Sequence, residues 1–167
     1  MDYPESETLS DAVRAALTTR NANVYRMIAH SPGMALSFYA VADAMLQRNS
    51  MPMDLRELAI LRVGHAYSAP YELHHHERFA RAVGLGEPAI KAAETGLLDG
   101  LSAAEAAVLR WTDRLLAEHT LGGPDRAAAL RQFSVGQLAD FVLTVGFYQL
   151  VCNFLNTFEV STEGEAF

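Results

Sequence analysis

Glu57, Glu72 and His76 are the residues of this chain whose types and spacing suit proton transfer. They lie in the stretch Asp54 to Gly84, DLRELAILRVGHAYSAPYELHHHERFARAVG, which contains His65, His74, His75 and His76, four of the six histidines. Glu72 and His76 stand at i and i+4, so on a helix they share a face and the carboxylate can orient the imidazole. Burial raises the pKa of a glutamate, while pairing holds a histidine charged, which gives an acid and a base near neutral pH. If Glu57 reaches the same point from a preceding helix, two carboxylates flank one imidazole. Such a group can move a proton beside a carbonyl or protonate the carbanion left by decarboxylation.

Each of these residues also has a structural reading. Asp54 and Glu57 have the spacing of a helix capping box. His76 lies in the apolar stripe Leu73, His76, Ala80, Val83, where a core histidine with satisfied hydrogen bonds is equally at home. Around the triad, Tyr71, His65 and His75 are candidate substrate contacts, with Tyr71 able to donate to a substrate oxygen beside Glu72. Tyr148 and Asn153 are candidates to line the same cavity, and Arg62 and Arg78 to hold a substrate carboxylate. Consecutive histidines point in three directions on a helix, so His74, His75 and His76 cannot share one ion. Neither HExxH nor a spaced cysteine cluster is present, and no metal site is assigned.

The elements that must position these groups are helical. Asp54 opens one helix filled by Leu55, Leu58, Ala59, Leu61, Val63 and Ala66. Pro70, with its fixed φ and missing N–H, opens the next, which ends at Gly84. His74 and His75 are rotated from the stripe by about 100° per residue, toward solvent. Upstream, Glu7 to Ala29 is a helical pattern interrupted near Asn21 to Asn23, and Ser31 and Pro32 open a helix to about Gln47. Downstream come a short helix around Pro88, a helix begun by the capping box Ser102 and Glu105, and another from Pro124 to Phe133. The last runs from Ser134, capped with Gln137, to about Val160. No alternating strand pattern or hairpin turn occurs, so the predicted fold class is all-α.

The last helix carries no charge between Phe141 and Phe158. That length suits a membrane span, but Thr144, Gln149, Asn153 and Asn156 favour a helix buried among others or at a subunit interface. No partition into a membrane is expected. The formal net charge of −7, with thirteen scattered Lys and Arg, disfavours nucleic acid. A single cysteine, Cys152, excludes an internal disulfide, and no secretory pattern is visible, so a cytoplasmic location is expected. At 167 residues the chain is expected to form a single domain, 1–167.

The central stretch resembles the carboxymuconolactone decarboxylase and alkylhydroperoxidase D (AhpD-like) family, and the likeness extends loosely from about His30 to Val160, with 7–29 as an N-terminal helical extension. The peroxidase branch places a glutamate, eleven residues, a cysteine, two residues, a cysteine, three residues and a histidine. Counted from Glu57, the cysteine positions fall on Ala69 and Glu72 and the histidine on His76. The glutamate and histidine match and both cysteines are missing, so the segment YELHHHERFARAVGL is similar to the cysteine-free members. Without a thiolate to attack peroxide and a thiol to resolve the product, dithiol peroxidase chemistry loses its basis.

The resemblance implies an AhpD-like helical bundle assembled as a dimer, trimer or hexamer. It implies a small carboxylated lactone or organic acid as substrate, and the chemistry read from the residues calls for no cofactor. The expected function is decarboxylation or proton transfer by Glu57, Glu72 and His76. Two alternatives stand beside it: an antioxidant protein of peroxiredoxin type, and a helical binding or assembly module without chemistry.

Overall fold

The computed structural model describes residues 1–163. Nine α-helices and a 3-10 turn make up the regular structure among the described residues, with no strand. They are α1 (Asp11–Leu17), α2 (Asn23–Ile28), α3 (Ala35–Gln47), α4 (Met53–Ala66), α5 (Pro70–Ala82), α6 (Glu87–Thr95), α7 (Ala103–Glu118), α8 (Gly123–Gln132) and α9 (Val135–Phe158). The chain contacts itself as two compact units. One is Ser50–Asn153; the other is Met1–Asn49 with residues 154–163.

In the Ser50–Asn153 unit, α4 is the hub, packed against α5, α6 and α7. Nearly every side chain from Leu55 to Gly64 is buried, as befits a helix with neighbours on several sides. One of its faces, with Leu55, Ala59, Ile60 and Val63, meets Val108, Trp111, Phe141, Val145 and Tyr148. Another, with Leu58 and Leu61, meets Ala80, Leu85, Ile90, Ala93 and Leu109. In the other unit, Val13, Ile28, Ala29, Ala35 and Tyr39 form a smaller core with Phe154 against it.

Local signals explain most of the boundaries. Pro70 occupies the first turn of α5, and Gly84 follows its end at φ +89°. Gly96 caps α6 in the left-handed region. Both downstream capping boxes form: Ser102 with Glu105 on α7, and Ser134 with Gln137 on α9, at 3.0 and 3.1 Å. The N-terminal pattern breaks earlier than its periodicity suggests, since α1 ends at Leu17 and Ser10 caps it. Ser31 to Met34 form a turn, so α3 begins after the predicted cap.

The last helix is not wholly buried within its own chain. Less than half of its most apolar stretch is buried, and Val142, Leu143, Gly146 and Leu150 are exposed at spacings of three and four. By length and composition alone, it is the one helix among the described residues apolar enough to cross a membrane.

Candidate active site

α4 and α5 form an antiparallel hairpin through Tyr67, Ser68 and Ala69, and the site lies along their seam. Glu57 and Gly64 are seven residues apart on α4 and share a stripe. At Gly64 a Cβ would come within 3.0 Å of Leu73 Cδ2 and 3.8 Å of Glu72 Cβ. The glycine therefore lets α5 close on α4 at the residue that carries Glu72, and further along the seam Glu57 meets His76.

The predicted capping box at the start of α4 does not form. The helix begins earlier, with Pro52 as N-cap at φ −52°, ψ 130° and no side-chain cap. Asp54 falls in the first turn, where its charge suits the helix dipole, and Glu57 is released to point inward. Its Oε2 lies 2.6 Å from His76 Nδ1. Its Oε1 accepts from Arg56 Nε and Nη2, both at 3.3 Å. The other ring nitrogen, His76 Nε2, is 3.3 Å from Glu72 Oε2. That last contact is an ion pair without hydrogen-bond alignment, because Glu72 Oε2 is buried with no hydrogen-bond partner.

Arg56, Glu57, His76 and Glu72 thus form a chain of alternating charge, positive to negative, with exposures of 6, 2, 6 and 5%. Burial is the largest single influence on the imidazole and by itself favours the neutral ring. Glu57 and then Glu72 outweigh it and raise the His76 pKa to about 9. At neutral pH His76 is an imidazolium, with Nδ1–H donated to Glu57 and Nε2–H facing the carboxylate whose oxygen lacks a donor. Aromatic rings frame it: Tyr148 at 5.0 Å and Phe79 at 5.6 Å between centroids, both edge-on. Phe79 is half exposed.

The structure brings Glu57, Glu72 and His76 together and places the remaining candidates elsewhere or beside them. Tyr71 is buried and its ring packs 4.6 Å from His75. His75 is therefore half-buried rather than solvated, while His74 is exposed. His65 has its pKa lowered by burial, and its charged neighbours are Glu94, Glu77, Arg62 and Lys91, not the triad. Tyr148 lies against His76, whereas Asn153 is exposed. Arg62 serves the scaffold, because its Nε pairs with Asp113 at 2.6 Å and its Nη1 donates to Ala93 O at 3.0 Å, closing the C-terminus of α6. Arg78 is exposed. Among the described residues no three His, Cys, Asp or Glu side chains are grouped to hold a metal ion.

Cys152 is fully buried, and burial, followed by the nearby Glu72 charge, pushes its thiol pKa far up. It stays a protonated thiol at neutral pH.

The model of the Carboxymuconolactone decarboxylase family matches residues 32–114, which include Glu57, Glu72 and His76. Over that stretch the chain is similar to the Carboxymuconolactone decarboxylase family. Its fold is that of an alkylhydroperoxidase AhpD core, an uncharacterized peroxidase-related protein from Ralstonia eutropha JMP134. The TM-score is 0.82 at 20% identity, covering 99% of this chain and 92% of that one. An uncharacterized peroxidase-related protein from Silicibacter sp. TM1040 is similar at TM-score 0.81 and 17% identity, with the same coverage. No curated protein matches the chain. As an AhpD-like chain it keeps the glutamate and histidine of the peroxidase pattern, fills the first cysteine position with buried Ala69, and sets the carboxylate of Glu72 at the second.

Two contributors escaped the reading of the sequence. Arg56 was hidden among apolar neighbours, yet a helix apolar on every side has no wet face to offer it, which is a usable signal of burial. Gly64 announced itself more directly: a glycine inside a helical pattern marks either a weak helix or a close approach.

Proposed function

We propose that this carboxymuconolactone decarboxylase-like protein catalyses cofactor-free decarboxylation or proton transfer on a small carboxylated lactone or related organic acid. The observation that carries the proposal is Glu72 Oε2, a buried acceptor without a hydrogen-bond partner, 3.3 Å from an imidazolium nitrogen. A buried acceptor without a partner favours a ligand that brings a donor. In proton transfer, Glu72 takes the proton from a carbon beside a carbonyl, the C–H electron pair passes into the enolate, and His76 Nε2–H hydrogen-bonds the enolate oxygen. In decarboxylation, the C–C bond breaks toward the carbonyl, CO2 leaves, and His76 returns a proton to the carbanionic carbon. Water then reprotonates the imidazole. Glu57 keeps the ring oriented and favours its charged form before and after that transfer, and Arg56 holds Glu57.

A thiol route has less support. The peroxidase positions hold Ala69 and Glu72, and the burial that raises the Cys152 pKa removes the thiolate that attack on peroxide requires. As for assembly, the exposed apolar face of α9 supports a homo-oligomer, read out by mass-resolved gel filtration of the wild type and Leu143→Glu.

The test of the chemistry uses carboxymuconolactone in D2O, following CO2 release and deuterium incorporation. Wild type should release CO2 and label the product. Glu72→Gln and His76→Gln, each checked for folding, should lower the rate about 100-fold or more, the usual contribution of a positioned acid or base. Turnover unchanged in both folded variants would remove the triad from the mechanism, and an inert wild type would sink this substrate class.

A further inference from the structure

The Met1–Asn49 unit contains a cleft of about 450 Å³ into which Arg14, Arg20 and Arg26 all face. Ser6 and Asn21 add neutral hydrogen-bonding groups, Leu9 and Leu17 an apolar wall, and no carboxylate lines the cleft. In a chain of net charge −7, three guanidinium groups line this one cavity without a carboxylate among its lining residues.

The arginines are held in place before any ligand arrives. Arg14 Nη1 donates to Leu9 O at 2.6 Å and Ser6 O at 3.0 Å, and its Nη2 pairs with Asp11. Arg20 Nη1 donates to Ala16 O at 2.9 Å, its Nη2 pairs with Asp43, and its guanidinium lies 5.4 Å from the Tyr39 ring centre. Arg26 sits 4.3 Å over the Tyr3 ring and donates to Asn23 Oδ1 at 3.3 Å. Asp11 and Asp43 pair with Arg14 and Arg20 from outside the lining, whereas the partners of Arg26 are Asn23 and Tyr3, neither of them charged. Arg20 Nε is also buried with no hydrogen-bond partner. A site with one arginine not paired to a carboxylate, an orphaned N–H donor and a leucine wall matches a monoanion with a short apolar body better than a phosphate dianion.

We propose that this cleft binds a small amphipathic carboxylate, its headgroup on Arg20 and Arg26 and its chain along Leu9 and Leu17. None of the residues of the acid–base triad lines the cleft, so the proposal does not depend on the reaction.

The test titrates the full-length protein with octanoate, acetate and 1-octanol by calorimetry. In parallel, a diazirine derivative of octanoate is photolysed on the protein and the labelled peptides are identified by mass spectrometry. Octanoate should bind saturably, acetate more weakly because it lacks the apolar body, and 1-octanol not measurably because it lacks the charge. Label should concentrate between Pro4 and Arg26. Arg26→Gln and Leu17→Glu should each weaken octanoate tenfold or more, the scale of one lost charged hydrogen bond or one added repulsion. Equal binding of octanol, label concentrated elsewhere, no octanoate binding, or full affinity in both folded variants would each overturn the proposal. Should neither variant fold, the wild-type labelling map and the octanoate–octanol contrast decide it.

Discussion

Charged pairs of similar composition occur in both units of the chain, in very different surroundings. Along the α4–α5 seam, Arg56, Glu57, His76 and Glu72 are all at least nine-tenths buried. In the N-terminal unit the side chains of Arg14 and Asp11 are 39 and 96% exposed, and those of Arg20 and Asp43 are 20 and 37% exposed. Water screens the second set, so each pair contributes little to stability and its members can be rebound by a ligand at small cost. The first set lies in a low-dielectric interior where every charge depends on its neighbour. Alternation is what makes that burial tolerable: Glu57 is bracketed by two cations and His76 by two carboxylates. The comparison separates a charge chain built to hold protons in place from a cluster built to stay open.

Breaking the buried chain should produce the largest effect. Glu57→Ala removes the hydrogen-bond partner of His76 Nδ1 and the acceptor of Arg56 at once. Deleting one member of a buried ion pair costs about 3–5 kcal/mol. Urea unfolding of Glu57→Ala should show a loss of that size, and a loss below about 1 kcal/mol would mean that water reaches the seam.

Next comes the pH response of His76. Its folded-state pKa is raised from 6.5 to about 9. The stabilisation is therefore complete below pH 6.5 and is lost as pH rises through 9. The unfolded chain releases the proton first, and between these limits the folded state binds more protons, so stability falls with rising pH by about 3 kcal/mol. Unfolding midpoints measured from pH 6 to 10 should decline across this window in the wild type. In His76→Gln that component of the decline should vanish; a wild-type curve flat from 6.5 to 9 would show that the two carboxylates do not hold the proton.

The scaffold was far more legible in the sequence than the wiring of the site. Helix starts with a covalent or side-chain signature, such as Pro70, Ser102 with Glu105 and Ser134 with Gln137, depend on local chemistry and were readable from a few residues. The i,i+4 relation of Glu72 and His76 was readable for the same reason. Whether Glu57 caps its own helix or crosses to α5 depended on where α4 begins, and Pro52 decided that two residues upstream of Asp54. Spacing gave no account of Arg62 either, because its partners Asp113 and Ala93 come from α7 and α6. The exposed face of α9 was left open between burial and an interface, because an uncharged helix looks the same in sequence whether its neighbours belong to its own fold or lie outside it.

A subtler perturbation sharpens the geometry without touching a charge. Gly64→Ala places a Cβ 3.0 Å from Leu73 Cδ2, so the Leu73 side chain must give way, and a shift passed on to its backbone displaces α5 at Glu72. Overpacking of this kind costs about 1–3 kcal/mol, partly offset because alanine is the better helix former by about 1 kcal/mol. The expected outcome is a modest loss of stability with a disproportionate change at the site. The His76 titration, followed by the shifts of its ring protons, should move toward 6.5 as Glu72 is displaced. A variant with unchanged stability and an unchanged titration would show that Leu73 yields without carrying α5, and that Gly64 does not set the His76–Glu72 distance.

The smallest expected effect on stability comes from Asp43→Asn in the N-terminal unit. Asp43 pairs with Arg20 but does not line the cleft, and its side chain is 37% exposed. Solvent screening limits the pair to below about 1 kcal/mol, so the unfolding midpoint should barely change. Octanoate affinity, by contrast, should rise, because the substitution removes the carboxylate that competes for the Arg20 guanidinium and leaves Arg20, like Arg26, without a carboxylate partner. The opposite result, a large stability loss with no gain in binding, would show that Arg20 is a structural cation whose partner is Asp43 alone. The contrast between a buried chain of charges and an open one would then fail at Arg20, because its pair would behave like the buried pairs of the α4–α5 seam.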